Sequence, residues 1–282
     1  MIIGDRVFNL KDEVYIMGIL NITPDSFSDG GAIYGSKNHI DNALKKVEEM
    51  INDGASIIDV GGESTRPGYV QVSDDEEIYR VCPIIEKIND NFDVVVSVDT
   101  YKSKVAKEAV SAGAHMINDI WGFKADRDMA SIVALNNLSC CIMHNRDLEN
   151  NPYTSFYKDI FEDLKESVEI ALSAGVKEDK IIIDPGIGFG KSYEQNLDMI
   201  SNIEVLHPLG LPILLGTSRK SVIGLTLNLP VDEREEGTMA TTTFGVLKGC
   251  SIIRVHDVKK NYRAAKMALE LRRHMRDATL FM

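Results

Sequence analysis

Apolar positions along the 282-residue chain follow two alternating periods. In one, apolar residues recur three and four apart: Ile40, Leu44, Val47 and Ile51; Ile78, Val81, Ile85 and Ile88; Phe156, Ile160, Leu164, Val168 and Leu172. This spacing predicts helices that lay one face on a sheet. Pro83 inside the second stripe predicts a late start or a kink. Ala264, Met267, Ala268 and Leu271 predict a closing helix, with Arg272 and Arg273 at the end that attracts cations. In the other period, short β-branched runs each stop at a small or polar residue. Gly54, Gly113, Gly175 and Gly249 stand between a helical stripe and the next such run, as left-handed helix caps do.

The predicted strands are 15–20, 57–60, 94–98, 116–117, 139–143, 181–183, 212–215 and 252–255. Their nearly continuous apolar character suits a parallel sheet covered by helices. Eight strand–helix units in a chain of this length predict an α/β fold of the (β/α)8 TIM-barrel type, one domain over residues 1–282. The segment 2–8 predicts a short N-terminal β-hairpin plugging the bottom of the barrel. A doubly wound sheet is the alternative, but the glycine fingerprint of a dinucleotide site does not follow the first strand.

Lys and Arg total 31 against 43 Asp and Glu, a formal charge of −12. An acidic chain argues against nucleic-acid or anionic-membrane partners, so an anionic ligand must be met by local cations. Cys82, Cys140, Cys141 and Cys250 lack metal or redox spacing and read as small buried hydrophobes. Cys140 and Cys141 are adjacent in a strand and must point to opposite faces. Residues 1–6 do not read as a signal peptide, and no run approaches the ~18 apolar residues of a membrane span. The expected location is cytoplasmic.

In a barrel of this kind the strand ends share one mouth. They collect Asn21, Asp59 with Glu63, Asp99, Asn118, His144, Asp184, the turn Ser218-Arg219-Lys220, and Arg254 with His256. Any one of these reads equally as the cap of the next helix, and Asp59 reads as structural, bonded to a neighbouring loop. Lys220, Arg254 and His256 make poor N-caps and call for an anion on the last two units. Long Gly/Pro-rich stretches at 21–31 and 61–68 predict two mobile loops, after strands one and two, closing over the mouth. The run 186–191 has glycines and a lysine but lacks Walker spacing.

NITPDSFSDGG at 21–31, GGESTRPG at 61–68, SVDT at 97–100 and IND at 117–119 resemble the dihydropteroate synthase family. DPGIGFGK at 184–191, TSRK at 217–220 and RVHDV at 254–258 resemble it too, in the family's order over nearly the whole chain. The resemblance implies condensation of 4-aminobenzoate with (7,8-dihydropterin-6-yl)methyl diphosphate, giving dihydropteroate and diphosphate for folate biosynthesis. It implies pterin pairing by Asp99, Asn118, Asp184 and Lys220, with Met143 as an apolar wall. Arg254 would stack on the pterin and His256 would meet the diphosphate. Thr65 and Arg66 would organise the diphosphate and the second substrate, and Pro67, Phe189 and Ser221 would line the 4-aminobenzoate pocket. Asn21 would coordinate Mg2+ together with diphosphate oxygens.

The implied route is SN1-like: diphosphate departs, a cation forms at the pterin methylene, and Asp99 offsets its charge. Catalytic roles are thus expected for Asp99, Lys220, Arg254 and His256. A homodimer is the family's habit. Three rivals share parts of this reading: a pterin-binding methyltransferase domain, an aldolase using Lys220 as a Schiff base, and an inactive pterin-binding paralogue.

Overall fold

The computed structural model describes residues 1–22, 37–63 and 71–275. Eight strands form one parallel sheet: β3 (Tyr15–Asn21), β4 (Ala55–Gly61), β5 (Val95–Asp99), β6 (Met116–Asp119), β7 (Ser139–Met143), β8 (Ile181–Asp184), β9 (Leu214–Leu215) and β10 (Ile252–Val255). Their order is β8-β7-β6-β5-β4-β3-β10-β9, and an isolated bridge between Ile183 and Ile213 closes the ring. Among the described residues the helices alternate with these strands: α1 (Lys37–Asn52), α2 (Asp74–Asn91), α3 (Ser103–Ser111), α4 (Met129–Leu135), α5 (Phe156–Ser173) and α6 (Tyr193–Ser201). The last turn of the barrel carries α7 (Ser221–Leu227), α8 (Glu235–Leu247) and α9 (Val258–His274). The predicted TIM barrel is what the chain forms.

The period of two along each strand sorts side chains into two cores. The outer core lies between sheet and helices and includes Ile58, Val96, Ile117, Cys140, Ile183 and Val255. The inner core takes one residue from every strand: Met17, Ile57, Val95, Met116, Cys141, Ile182, Leu214 and Ile252. Cys140 and Cys141 therefore face opposite sides, as alternation requires. The hairpin, β1 (Ile2–Ile3) with β2 (Arg6–Val7), adds Ile3 to this inner layer, followed by Phe8 and Leu10. It plugs the bottom, and the barrel floor is apolar.

Gly54, Gly113, Gly175 and Gly249 all adopt positive φ at the predicted helix ends. At Gly113 the requirement is double, because a β-carbon would lie 2.4 Å from Asn89 Nδ2. Two expectations are corrected. Helix α2 does not start late: Ser73 caps it, four acidic residues occupy its first turn, and it runs through Pro83. Pro83 removes only the amide that would bond the carbonyl of the exposed Tyr79. In α9 the buried stripe is Val258, Asn261, Ala265, Ala268 and Leu269, while Met267 and Leu271 face outward. The loop segments 23–36 and 64–70, with Thr65, Arg66 and Pro67, lie outside the described residues.

Candidate active site

Two residues beyond the apolar inner layer, the same strand faces carry Asp59, Ser97, Asn118, Met143, Asp184, Gly216 and Arg254. One further step reaches Asn21, Gly61, Asp99, Ser218 and His256. The apolar floor thus gives way to a polar cup over a single pleat, at the C-terminal ends of the strands.

Arg254 is its centre. Its Nε donates to Asp59 Oδ2 at 2.6 Å and its Nη2 to Asp99 Oδ2 at 2.5 Å. Asp59 Oδ2 also accepts from Asn118 Nδ2 at 3.0 Å. Against the pull of burial, the two carboxylates hold the guanidinium above its ordinary range. Burial pushes Asp99 up, with Arg254 opposing and Asp59 assisting. Asp59 Oδ1 and Ser97 Oγ, on residues paired across β4 and β5, are buried with no hydrogen-bond partner among the described residues.

Opposite lies Asp184. Its Oδ1 accepts from the Gly186 amide at 2.7 Å. A β-carbon at Gly216 would sit 3.8 Å from Asp184 Oδ2, 3.9 Å from Arg254 Cβ and 4.0 Å from Lys220 Nζ, so the three groups surround one small opening. Burial pulls Lys220 down to about 8, with Asp184 opposing. The Lys220 ammonium donates to the Ile187 carbonyl and lies 4.7 Å from the centre of the Phe189 ring. Ser221 opens α7 beside it and is exposed. Ser218 Oγ and His256 Nδ1 are 2.9 Å apart, which ties the turns after β9 and β10 together. Asn21 reaches the same space: its Oδ1 and Asp99 Oδ2 lie 3.7 and 3.9 Å from a β-carbon placed on Gly61.

The structure therefore brings together Asn21, Asp99, Asn118, Asp184, Lys220, Arg254 and His256, with Met143 buried on the same inner face. Phe189 and Ser221 stand at the rim. Asp99 does not cap the next helix: the N-cap of α3 is Lys102. Asp59 is corrected from a structural residue bonded to a loop to a floor carboxylate of the cup, fixed on Arg254 and Asn118. Counting by two from Ile57 would have revealed it. His144 does not join the cup. Being one residue past Met143, it turns outward to Asp163 of α5, with Nε2 and Oδ2 3.0 Å apart. Sequence reading also missed Lys102, whose ammonium bonds Glu63 at 2.6 Å, the Val72 carbonyl at 2.7 Å and Glu77 at 2.8 Å. These contacts join both flanks of the segment 64–70 to the base of the site. Nothing in local sequence pairs residues so far apart.

As for a metal, among the described residues no group of three His, Cys, Asp or Glu is arranged to hold one. Asn21 offers one neutral oxygen beside Asp99, which fits an ion that takes most of its ligands from a phosphate and water. The donor set is compatible with Mg2+ brought in with a diphosphate.

The mouth of this (β/α)8 barrel thus sets carboxylates and amides, groups able to pair with a polar heterocycle, beneath cations able to hold an anion. Residues 17–256 match the model of the family described as pterin binding enzyme. The dihydropteroate synthase of Clostridium beijerinckii is 62% identical over 95% of this chain and 97% of its own length. That of Bacillus subtilis is 56% identical over 91% and 88%. A solved dihydropteroate synthase from Clostridium difficile, with pteroic acid, superposes with a TM-score of 0.89 at 48% identity, covering 94% of this chain and 99% of that one. The Xanthomonas albilineans enzyme with 4-aminobenzoic acid gives 0.88 at 34% identity, covering 97% of each. The chain belongs to the pterin binding enzymes and, within them, to the dihydropteroate synthase family.

Proposed function

We propose that the cup joins 4-aminobenzoate to (7,8-dihydropterin-6-yl)methyl diphosphate, making 7,8-dihydropteroate and diphosphate. One observation carries the reading: Asp59, Asp99, Asn118, Asp184 and Arg254 converge on one mouth while Lys220 and His256 line its rim. A pterin edge alternates donors and acceptors. The free Oδ2 of Asp184 and the amide of Asn118 complement it, and Lys220 supplies a further donor. Each such bond to a charged group is worth about 1.5–3 kcal/mol. Arg254, already fixed on two carboxylates, presents a rigid guanidinium plane to the pterin face.

His256, braced by Ser218, faces the diphosphate together with Lys220. Asn21 would hold Mg2+ together with the diphosphate, and the ion would supply charge neutralisation on the leaving group. The C–O bond to diphosphate breaks first, its electron pair leaving with the anion. Asp99 stands where it offsets the positive charge left on the pterin methylene. The aniline nitrogen then forms the C–N bond and releases its proton to solvent. Thr65 and Arg66 organise the diphosphate and the second substrate, and Pro67, Phe189 and Ser221 line the 4-aminobenzoate pocket.

A second copy of the chain covers the apolar surface of α7–α9, where Leu225, Leu227, Phe244, Met267 and Leu271 are exposed. The enzyme works in the cytoplasm; among the described residues no helix is long and apolar enough to cross a membrane. Purified protein mixed with both substrates and Mg2+ must yield a product with the mass of dihydropteroate, and chelation must stop it. Asp99→Asn must slow both turnover and positional oxygen exchange in the diphosphate substrate. Absence of product refutes the assignment, and unchanged exchange removes Asp99 from the chemistry.

A further inference from the structure

Beneath the turn that follows β8 sits a hydrogen-bond network that the reaction as described does not use. Lys191 Nζ lies 2.9 Å from His144 Nδ1, 3.0 Å from the Gly186 carbonyl and 3.0 Å from the Phe189 carbonyl. An ammonium has three protons, and here it meets three acceptors. Asp163, an acceptor-only carboxylate 3.0 Å from Nε2, sets the imidazole: Nε2 carries the proton and donates to Asp163 Oδ2, which leaves Nδ1 to accept from Lys191, whose pKa burial pulls down to about 7. Asp163 is held in turn by Arg146, whose Nε and Nη2 donate at 2.8 and 3.1 Å. Burial keeps His144 neutral, with its pKa pulled down to about 4. The charged groups around Lys191 are Asp184, Asp163, Lys220 and Arg146.

The turn is built to be held from below. A β-carbon at Gly186 would lie 1.9 Å from the His144 carbonyl, and one at Gly190 2.6 Å from that of Arg146. Both glycines have positive φ, so the chain is pressed on the backbone after β7. From above, Lys220 takes the carbonyl of Ile187 and covers the ring of Phe189. Two lysines thus grip successive carbonyls of one turn from opposite sides.

We propose that Lys191 is a positioning residue, which through the His144–Asp163 pair sets the turn at 186–190 and thereby places Phe189 and the Ile187–Lys220 contact for 4-aminobenzoate. The substrate half of this statement rests on the function proposed above. The network half does not, and the test separates them.

Lys191→Met keeps the stem and removes the three donors. Its KM for 4-aminobenzoate rises about tenfold or more, and clearly more than its KM for pterin diphosphate, which keeps Asp59, Asp99, Asn118 and Arg254 and feels the change only through the Gly186 amide on Asp184. Amide hydrogen exchange at Phe189, whose N–H bonds the Gly186 carbonyl at 3.1 Å, quickens about tenfold with the rest of the barrel unchanged. His144→Phe, which keeps the ring stacked near Tyr153, shows both effects in smaller measure and serves if Lys191→Met does not fold. Unchanged exchange at Phe189 overturns the proposal, as does a parallel rise of both KM values. If the wild-type protein makes no dihydropteroate, the function above falls and the exchange measurement alone decides whether Lys191 sets the turn.

Discussion

Asp59 gives the sharpest test of how the cup is assembled. It is fully buried, and one of its oxygens takes both the Arg254 and the Asn118 bonds. In Asp59→Asn the amide oxygen occupies that position and keeps both bonds as a neutral acceptor. The new amino group takes the place of Asp59 Oδ1, which, like Ser97 Oγ on the paired strand, has no hydrogen-bond partner among the described residues. The loss is then the difference between a bond to a charged acceptor and an ordinary one, about 1 kcal/mol. Asp59→Ala leaves the Arg254 Nε and the Asn118 amide without an acceptor. Breaking a buried ion pair costs about 3–5 kcal/mol, and the lower end applies because Arg254 keeps Asp99. Removing the Asp59 charge also relieves Asp99, which again favours the lower end. Urea unfolding should therefore show losses of about 1 kcal/mol for Asn and about 3 kcal/mol for Ala. The KM for pterin diphosphate should rise roughly tenfold for Asn and roughly a hundredfold for Ala. If both variants unfold within about 0.5 kcal/mol of the wild type, the floor of the cup does not depend on this carboxylate.

Two further outcomes follow from buried charges outside the cup. Lys102→Met strands Glu63 and Glu77 in the interior, so unfolding stability should drop by about 3 kcal/mol near pH 7 and recover partly in acid as Glu77, which burial already pushes up, takes a proton; equal urea midpoints for the two proteins would refute it. His144 has its pKa lowered from 6.5 to about 4, so below pH 6.5 the unfolded chain binds a proton that the folded one refuses. Stability contributed by the neutral ring is complete above that pH and is lost on descending to about 4, by about 3 kcal/mol in total. His144→Phe should flatten this slope in a urea series at stepped pH, and an unchanged slope would show that the ring is not what titrates.

How much of this was legible in the sequence depended on parity. Strand runs end visibly at Asn21, Asp99, Asn118, Asp184 and His256, because an apolar run must stop where the barrel opens to water. The stop alone does not say which face a residue takes. Asp59 and His144 were misplaced for this reason: Asp59 shares the inward parity of Ile57, and His144 has the outward parity of Ile142. The stripe in α9 slipped similarly, since Met267 and Leu271 have the right spacing on the exposed side. Lys102 with Glu63 and Glu77, and Lys191 with His144 and Asp163, could not be read at all. Each network joins residues from several elements, and no local period encodes those encounters. The family resemblance supplied what periodicity could not, namely which ligand such a mouth takes.

The central claim is that one cup at the barrel mouth receives the pterin, and Asp184 tests it most directly. Its Oδ1 is held by the Gly186 amide while its other oxygen is left to face the ligand. Calorimetric titration of the wild-type protein with (7,8-dihydropterin-6-yl)methyl diphosphate should show one site per chain. Titration of Asp184→Leu should show affinity reduced about a hundredfold, the cost of leaving the pterin donors unpaired in a buried site. Equal affinity in the two proteins would place the pterin elsewhere and contradict the account.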